Sequence, residues 1–309
     1  MKLTRYKKNP ILKPTKNKWE NLEVFNPGVT YFNEKIYMLY RAIGKDKDYI
    51  SRIGLAISKD GFNFRRFSRP LINLKEDYEK YGMEDPRITK FDHTYYITYV
   101  VLKNPALSGY ATPQTALMST KDFKKFKRYG KITSPGSDDK DVVLFPEKIN
   151  NKFTFLHRPN LWTGTYYETA YPSIWISHTK KFKKLWHPKL LMKPKYEWEE
   201  LKIGSGPPPI KTKKGWLLIY HGVSNRLNYR VTAALLDLKN PRKIIARLDE
   251  PILKPEKNYE KKGERGIVFP TGTILKDNNL LVYYGCADKC ISVAYCNLEE
   301  LLNSFKIKK

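Results

Sequence analysis

Cysteine is scarce in this chain of 309 residues, and three cysteines are too few for a disulfide framework. No stretch of about 18 uncharged apolar residues occurs, so a membrane-spanning helix is not expected. The first residues are charged and lack the apolar segment of a secretion signal. Together these absences predict a protein of the reducing cytoplasm. Extensive disorder is excluded, because 41% of the residues are hydrophobic and 14% are aromatic.

Several catalytic and cofactor signatures are also missing. The chain has no phosphate-binding G-x-x-x-x-G-K-[ST] loop, no G-x-G-x-x-G before a helix and no H-E-x-x-H. It has no G-x-S-x-G motif of serine hydrolases. Cys286, Cys290 and Cys296 lack a fourth soft ligand at zinc-finger spacing, and we interpret them as small apolar residues on strands. A structural zinc site is therefore not expected.

Acidic residues are few relative to basic ones. The chain has 31 Asp and Glu against 58 Lys and Arg, which gives a formal net charge of +27. Such an excess indicates either an anionic partner or substrate, or a lysine-rich solvated surface. Basic-aromatic runs such as residues 121–128 would suit nucleic acid, but we interpret them as solvated strand edges, and nucleic acid is not expected as a partner.

A repeated sequence pattern predicts the fold. A turn with proline, a strand, a short polar turn and a Tyr- or Phe-rich strand recur five times. The prolines that mark the repeats are Pro27, Pro86, Pro146, Pro208 and Pro270, with spacings of 59, 60, 62 and 62 residues. Third and fourth strands follow each hairpin. A four-stranded unit repeated five times predicts an all-β, five-bladed β-propeller spanning residues 1–309 as a single domain. The alternative all-β arrangement, a sandwich, does not explain a period near 60.

Two features concern the ends of the chain. The motif Pro-Ile-Leu-Lys-Pro at 10–14 repeats a fourth-strand motif at 251–255, yet it precedes the first hairpin. We therefore expect the N-terminal segment to supply the outer strand of the last blade and to cover an open sheet edge. A short helix is predicted at residues 298–304.

The turns before the inner strands should meet at one mouth of the central channel, because equivalent ends of all blades converge there. The turn residues are Asn26, Glu84, Asp85, Glu147, Gly206–Pro208 and Thr271–Gly272. Cations recur near the ends of the inner strands, and together with the carboxylates they would form a polar site that can hold an anion. These cations are Arg41, Arg87, Lys140, His157, Arg158, Lys202 and His221.

Nine short motifs occur in order along these repeats. They are YRA at 40–42, SKDG at 58–61, GMEDPR at 82–87, KDVVLFPE at 140–147, LHRP at 156–159, KIGSGPP at 202–208, YHG at 220–222, ALLDL at 234–238 and YYGCAD at 283–288. In this order they resemble glycoside hydrolase family 130, the β-mannoside phosphorylases, over residues 26–288. That family is a five-bladed propeller, which agrees with the repeat count.

The resemblance implies a role for each matching residue. Asp85 matches the sole catalytic acid, which is thought to pass its proton through the 3-hydroxyl of the sugar. The positions that match phosphate ligands are Lys140, Arg158, Lys202, His221 and Tyr229. The positions expected to contact the mannoside are Asn26, Arg41, Arg87 and Asp288. Many relatives have Arg where this chain has Lys140, which keeps the charge but loses bidentate geometry.

Physical reasoning agrees with a phosphorylase. Phosphate is already an anionic nucleophile, so it needs cations rather than the second carboxylate that an inverting hydrolase requires. The resemblance implies inverting phosphorolysis of a β-mannoside with inorganic phosphate as co-substrate, giving α-mannose 1-phosphate and a shortened acceptor. It implies no metal and no organic cofactor. Asp85 must carry a proton, so we expect a raised pKa for its carboxyl group.

Several alternatives stay open from the sequence. One is a β-mannoside hydrolase on the same propeller, and another is a non-catalytic basic propeller that binds nucleic acid or an anionic glycan. Contacts to the acceptor sugar are expected from the variable loops 104–114 and 161–168. The linkage, β-1,2 or β-1,4, and the oligomeric state, a homo-oligomer included, are not determined by the sequence.

Overall fold

The computed structural model describes residues 1–45, 49–109, 111–182 and 184–307, and these residues form a five-bladed propeller. The N-terminal strand is β1 (Thr4–Arg5). The first blade contains β2 (Glu23–Phe32), β3 (Lys35–Ile43), β4 (Ser51–Ser58) and β5 (Arg65–Arg66). The second contains β6 (Glu84–Phe91), β7 (Thr94–Leu102), β8 (Pro113–Thr120) and β9 (Lys127–Lys131). The third contains β10 (Asp139–Leu144), β11 (Phe153–Pro159), β12 (Ile174–Thr179) and β13 (Trp186–Met192).

The fourth blade has a divided inner strand. Its strands are β14 (Lys202–Ser205), β15 (Ile210–Thr212), β16 (Gly215–Val223), β17 (Tyr229–Leu236) and β18 (Ile244–Arg247). Three consecutive prolines at 207–209 separate β14 from β15, since proline has no N–H to donate to a neighbouring strand. A small hairpin of β19 (Lys261–Lys262) and β20 (Arg265–Gly266) precedes the fifth blade, whose strands are β21 (Val268–Lys276), β22 (Asn279–Cys286) and β23 (Cys290–Asn297).

The N-terminal segment closes the ring, as the repeat pattern predicts. Strand β1 pairs antiparallel with β23, so the fifth blade has the order β1-β23-β22-β21. The segment that closes it lies earlier than expected, because Thr4 and Arg5 form the strand whereas the motif at 10–14 makes one bridge, between Leu12 and Ile291. The repeated Pro-Ile-Leu-Lys-Pro motif thus follows the outer strand rather than forming it.

Four of the blades share a buried clamp that fastens the outer strand to the second strand. A glutamate that is fully buried accepts hydrogen bonds from a tyrosine hydroxyl of the second strand and from an arginine of the outer strand. The clamps are Glu20–Tyr40–Arg66, Glu79–Tyr99–Arg128, Glu199–Tyr220–Arg247 and Glu260–Tyr284–Arg5. In the third blade His157 stands opposite the bulge, at the position of these tyrosines, and its ring nitrogens lie 2.7 Å from Asp139 Oδ2 and 2.8 Å from Ser177 Oγ.

Helical structure is sparse in the described residues. The predicted terminal helix is α1 (Leu298–Asn303), and the Asn297 side chain accepts a hydrogen bond from the Glu300 N–H at its N-terminus. Single 3₁₀ turns are found at Asp77–Glu79, Ala106–Ser108, Thr165–Tyr167, Glu197–Glu199 and Asn258–Glu260. Within the described ranges, no helix has the length and apolar character needed to cross a bilayer.

Candidate functional site

The polar residues of the channel mouth sit on distorted ends of the inner strands. In blades 1, 2 and 3 a bulge interrupts the pairing with the second strand, and Asn26, Asp85 and Asp141 lie at the equivalent place in each bulge. Their φ angles are 46°, 49° and 55°. Residues other than glycine hold such angles at a cost of about 1–3 kcal/mol each, and such strain concentrates at functional sites.

This alignment corrects one sequence-based expectation. Glu147 does not reach the mouth, because it lies beyond the opposite end of β10, where its exposed carboxylate pairs with Lys211 at 2.8 Å. The residue equivalent to Asp85 in the third blade is Asp141. The proline spacing had placed the inner strand of this blade around Pro146, although the strand begins at Asp139.

A cavity of about 520 Å³ opens at the mouth and brings most of the predicted residues together. Eight of the ten residues expected at the site line it: Asn26, Arg41, Asp85, Lys140, Arg158, Lys202, Tyr229 and Asp288. Sequence reasoning did not single out other lining residues, which include Glu23, Tyr49, Asp138, Asn160, Lys262 and Arg265. From the loop 104–114, Ala111 and Pro113 line the cavity, whereas Tyr110 lies outside the described residues.

Asp85 is buried and held from two sides. The side-chain amide of Asn26 donates to Asp85 Oδ1 at 2.8 Å, and Arg41 lies 3.4 Å from the same oxygen. Lys140 Nζ is 3.8 Å from Asp85 Oδ2. Close packing leaves room for Asn26 only because residue 285 is glycine, since a Cβ there would overlap Asn26 Oδ1.

The expected increase in the pKa of Asp85 is not found. Burial by itself would raise the pKa of this carboxyl group, but the positive charges of Arg41, Lys140 and Arg87 and the hydrogen bond from Asn26 outweigh burial. They hold the pKa of Asp85 below the usual value of an aspartate. The carboxyl group of the protein alone is therefore ionised near neutral pH.

Arg41 is oriented by a second carboxylate, that of Glu84. Arg41 forms an ion pair with Glu84 at 2.6 Å and donates through Nε to Ser51 Oγ at 3.0 Å. The Ser51 hydroxyl in turn donates to Glu84 at 2.9 Å. This network fixes the guanidinium group between Glu84 and Asp85, which are adjacent in sequence.

Asp141 organises the basic side of the cavity. Its Oδ2 atom accepts a hydrogen bond of 2.8 Å from Arg158 Nε and lies 2.8 Å from Nη2 of the same guanidinium group, whose Nη1 donates to Asn160 Oδ1 at 2.7 Å. Arg87 and His221 lie 3.8 and 3.7 Å from the same carboxylate. A Cβ at residue 204 would overlap Asp141 Oδ2, so Gly204 leaves space for this carboxylate.

Lys202 is a buried cation next to Arg158. Burial, with the charges of Arg158 and Lys140, lowers the pKa of Lys202 to about 8 from the usual 10.5 of a lysine. Its ammonium group lies 5.6 Å from the ring centre of Tyr229. A lysine with this pKa is charged at neutral pH and loses its charge in mildly alkaline solution.

His221 and Arg87 lie beneath the cavity rather than on its wall. His221 is fully buried, and burial lowers the pKa of its imidazole to about 3, so the ring is neutral and is not the cation that the sequence suggested. It stacks on Tyr229 with ring centres 5.7 Å apart. Arg87 donates to the carbonyl oxygens of Gly206 and Asp85 at 2.9 and 2.8 Å, so it positions the backbone that carries Asp85.

Asp288 is the last of the residues expected to contact the mannoside. Burial raises the pKa of its carboxyl group, which lines the cavity on the side of Arg41.

The cysteines Cys286, Cys290 and Cys296 are free and buried on blade strands. Among the described residues, no group of three or more His, Cys, Asp or Glu side chains is arranged to hold a metal ion.

Comparisons with known proteins agree with this geometry. A family model described as beta-1,4-mannooligosaccharide phosphorylase matches residues 2–307. The chain is 40% identical to 1,2-beta-oligomannan phosphorylase from Thermoanaerobacter sp. (strain X514), over 97% of this chain and 99% of that one. It is 30% identical to beta-1,4-mannooligosaccharide phosphorylase from Ruminococcus albus, over 98% of this chain and 90% of that one.

Solved structures give the same result. The beta-1,2-mannobiose phosphorylase of Listeria innocua, in complex with beta-1,2-mannobiose, superposes with a TM-score of 0.87 at 30% identity, and the match covers 100% of both chains. The length of the match to the family model, and the identity to relatives along almost their whole length, therefore show that this chain belongs to glycoside hydrolase family 130.

Proposed function

We propose that this protein catalyses the reversible, inverting phosphorolysis of β-linked mannosides, which yields α-mannose 1-phosphate and an acceptor shortened by one mannose. One observation carries the proposal: the carboxyl group of Asp85 shares a single cavity with the cations Lys140, Arg158 and Lys202. A reaction in which phosphate is the nucleophile needs that combination, a proton donor and a separate anion site.

In the proposed reaction one bond forms at the anomeric carbon while another breaks. A phosphate oxygen held by Lys140, Arg158 and Lys202 forms a bond to the anomeric carbon as the glycosidic C–O bond breaks on the opposite face. The proton of Asp85 goes to the departing oxygen, through the 3-hydroxyl of the mannose by analogy with the family. Inversion converts the β-mannoside to the α-phosphate. The neutral imidazole of His221 supports Tyr229 from below rather than supplying charge.

The low pKa of Asp85 has a consequence for the order of events. One of the cations that stabilise its carboxylate, Lys140, is also proposed to hold phosphate. When an anion binds to Lys140 and its neighbours, it offsets their charge, and the pKa of Asp85 rises. Phosphate would therefore promote the protonation that Asp85 needs, so the acid becomes competent when the nucleophile is in place.

The experiment is an assay of purified protein on β-1,2- and β-1,4-mannobiose with and without inorganic phosphate. The expected product is α-mannose 1-phosphate, formed only when phosphate is present. Turnover that is independent of phosphate would overturn the proposal in favour of a hydrolase. Salt-sensitive binding of RNA without any turnover would favour a propeller that only binds.

We also propose a cytoplasmic location, which the three free, buried cysteines support.

A further inference from the structure

The hairpin that joins β22 to β23 carries a cysteine on each side of its turn. Cys286 ends β22, Cys290 begins β23, and the two residues stand directly opposite each other in the antiparallel pair. The Cα atoms of opposite residues in such a pair are about 4.5 or 5.5 Å apart, and a disulfide spans about 4.4–6.8 Å between Cα atoms. The backbone therefore holds the two cysteines at a spacing that a disulfide can bridge.

The two thiol groups are also in contact. Side chains of directly opposite residues lie on the same face of a sheet, and the thiols of Cys286 and Cys290 hydrogen-bond to each other. The sulfur atom of Cys290 lies 3.9 Å from the carbonyl oxygen of Cys286. The two sulfur atoms are thus neighbours while both cysteines are reduced.

The two thiols differ in how readily they react. The hydrogen bond with Cys286 lowers the pKa of Cys290, and the positive charges of Lys13 and Lys289 act in the same direction. Burial raises the pKa of Cys286. Cys290 is 6% exposed, whereas Cys286 is fully buried. Because the thiolate is the reactive form of cysteine, Cys290 is the residue that a small oxidant attacks first.

The third cysteine lacks this arrangement. Cys296 lies opposite Leu280 in the sheet, and it is six residues from Cys290 on the same strand, which separates the two by about 20 Å. Burial raises the pKa of the Cys296 thiol to about 12. Its exposed fraction is also 6%, so Cys296 matches Cys290 in burial and serves as its control.

The turn between the paired cysteines carries a residue of the cavity at the channel mouth. Asp288 lies in this turn and lines that cavity. The Ala287 N–H donates to the Ile267 carbonyl at 3.2 Å, and the Lys289 carbonyl accepts from the Val24 N–H at 3.2 Å. These bonds attach the turn to the neighbouring segments of the mouth, so a change in the geometry of the hairpin reaches Asp288.

We propose that Cys286 and Cys290 form a reversible disulfide when the protein meets a peroxide. The Cys290 thiolate attacks one oxygen of hydrogen peroxide, the O–O bond breaks, and the departing hydroxide takes up the thiol proton as water, which leaves a sulfenic acid. The Cys286 sulfur then displaces the hydroxyl group of the sulfenic acid, and this group leaves with the Cys286 proton as a second water. Two thiols are oxidised while one peroxide is reduced by two electrons. A dithiol reverses the step by thiol–disulfide exchange.

The disulfide has a consequence for the cavity, and this consequence rests on the proposed function. A covalent bond holds two sulfur atoms closer together than a hydrogen bond does, so the ends of β22 and β23 shift and carry Asp288 with them. A displacement of about 1 Å in a group that positions the substrate can lower the rate about 10²-fold. The oxidised protein is therefore less active than the reduced one.

Formation of the disulfide is tested with hydrogen peroxide, thiol titration and mass spectrometry of tryptic peptides. The expected result is the loss of two of the three thiols, with their recovery in dithiothreitol, and a cross-link between the peptides that trypsin separates at Lys289. Cys290→Ser should form no cross-link, whereas Cys296→Ser should form it as wild type does. Three free thiols after treatment, or a cross-link that is lost in Cys296→Ser, would overturn the proposal.

The effect on the cavity is tested by phosphorolysis of β-mannobiose before and after oxidation. Wild type and Cys296→Ser should lose about 10- to 100-fold in kcat/KM and regain it in dithiothreitol. Cys290→Ser and Cys290→Ala should keep their activity through the same treatment, which excludes oxidation of methionine as the cause. Equal activity of reduced and cross-linked protein would overturn the effect on Asp288. If reduced wild type shows no phosphorolysis, the proposed function fails, whereas the cross-linked peptides still decide whether the disulfide forms.

Discussion

At the scale of single residues, the site combines one carboxyl group with charges that oppose its protonation. Asp85 has to donate a proton in the proposed reaction, yet Arg41 and Lys140 stabilise its ionised form. The conflict would be resolved if a phosphate dianion bound to Lys140 first and offset part of this positive charge. Under this proposal the residue would work as an acid only in the complete complex, and proton transfer would depend on the presence of the nucleophile.

Asp85→Asn should lower kcat by about 10²- to 10⁴-fold, the usual contribution of a general acid. The shape of the side chain is retained, and the Asn26 amide keeps a possible acceptor at residue 85, so thermal unfolding should remain cooperative. Measurement of phosphorolysis and of the melting temperature checks both points. Asp122→Asn is the control, since this aspartate caps an exposed turn far from the mouth. Wild-type activity in Asp85→Asn would refute the assignment of the acid.

The pH dependence of phosphate use should follow Lys202. Its ammonium form is the charged one, and the pKa of about 8 means that the charge is present below pH 8 and is lost above it. The apparent KM for phosphate should therefore rise as the pH increases through about 8. In Lys202→Ala this rise should disappear and the KM should be high throughout. Lys211→Ala, which removes an exposed lysine, should keep the wild-type profile; an unchanged profile in Lys202→Ala would contradict the prediction.

At the scale of strands and blades, the buried clamps explain how short outer strands stay attached. Strand β5 has two residues and β18 has four, too few for many ladder hydrogen bonds. Their arginines reach inward to glutamates that are fully buried. A buried glutamate needs these donors, because an unpaired charge in the interior is costly.

Glu199→Gln should destabilise the fourth blade by about 3–5 kcal/mol, because it leaves the partly buried Arg247 without its charge partner. The loss would show as a lower midpoint in chemical denaturation. Glu200→Gln, the neighbouring substitution, should change stability little, since an amide oxygen can replace the single acceptor bond to the Asn225 N–H. Equal midpoints for the two variants would show that the clamp does not stabilise the blade.

At the scale of the whole molecule, closure of the ring depends on the first few residues. Strand β1 pairs with β23, and Arg5 bonds the buried Glu260 at 2.8 Å as part of the clamp in the fifth blade. The fifth blade, which joins the two ends of the chain, thus has the same Glu–Tyr–Arg clamp as three of the other blades. Removing it leaves one sheet edge exposed and one carboxylate unpaired.

Arg5→Ala should therefore lower the free energy of unfolding by about 3–5 kcal/mol, comparable to loss of a clamp inside a blade. Lys2→Ala, at an exposed position three residues earlier, should have no effect beyond about 0.5 kcal/mol. Urea denaturation followed by tryptophan fluorescence measures both. If Arg5→Ala unfolded at the wild-type midpoint, closure by the N-terminal segment would not contribute to stability.

The charge of the whole molecule is distributed unevenly between the interior and the surface. Among the described residues, eight acidic side chains are buried, mostly in the clamps and at the site, whereas Arg87 and Arg158 are the buried basic ones. The surface is thus more basic than the formal net charge of +27 suggests. A positive surface attracts anions, so it would assist the arrival of phosphate at low ionic strength.

The fold could be predicted from the sequence because turns and strands depend on residues that are close together in the chain. Asn33 and Asn150 hold the positive φ angles that tight hairpin turns need, and alternating apolar strands follow them, so turns and strands were readable without tertiary information. The recurrence of this unit gave the number of blades. Motifs at strand ends gave eight residues that the cavity brings together, because a strand end in a repeat has a fixed place in the ring.

Two properties of the site depended on the tertiary structure: the charge states of its side chains, and which acidic residue of the third blade lies at the mouth. The ionised state of Asp85 and the neutral state of His221 depend on neighbours from other blades and on burial, neither of which a single motif contains. Asp141, rather than Glu147, belongs to the mouth because a bulge, not a proline, marks where the third inner strand begins. The charge states of these side chains and the register of the third inner strand depend on contacts between residues far apart in the sequence. A short motif contains no information about such contacts.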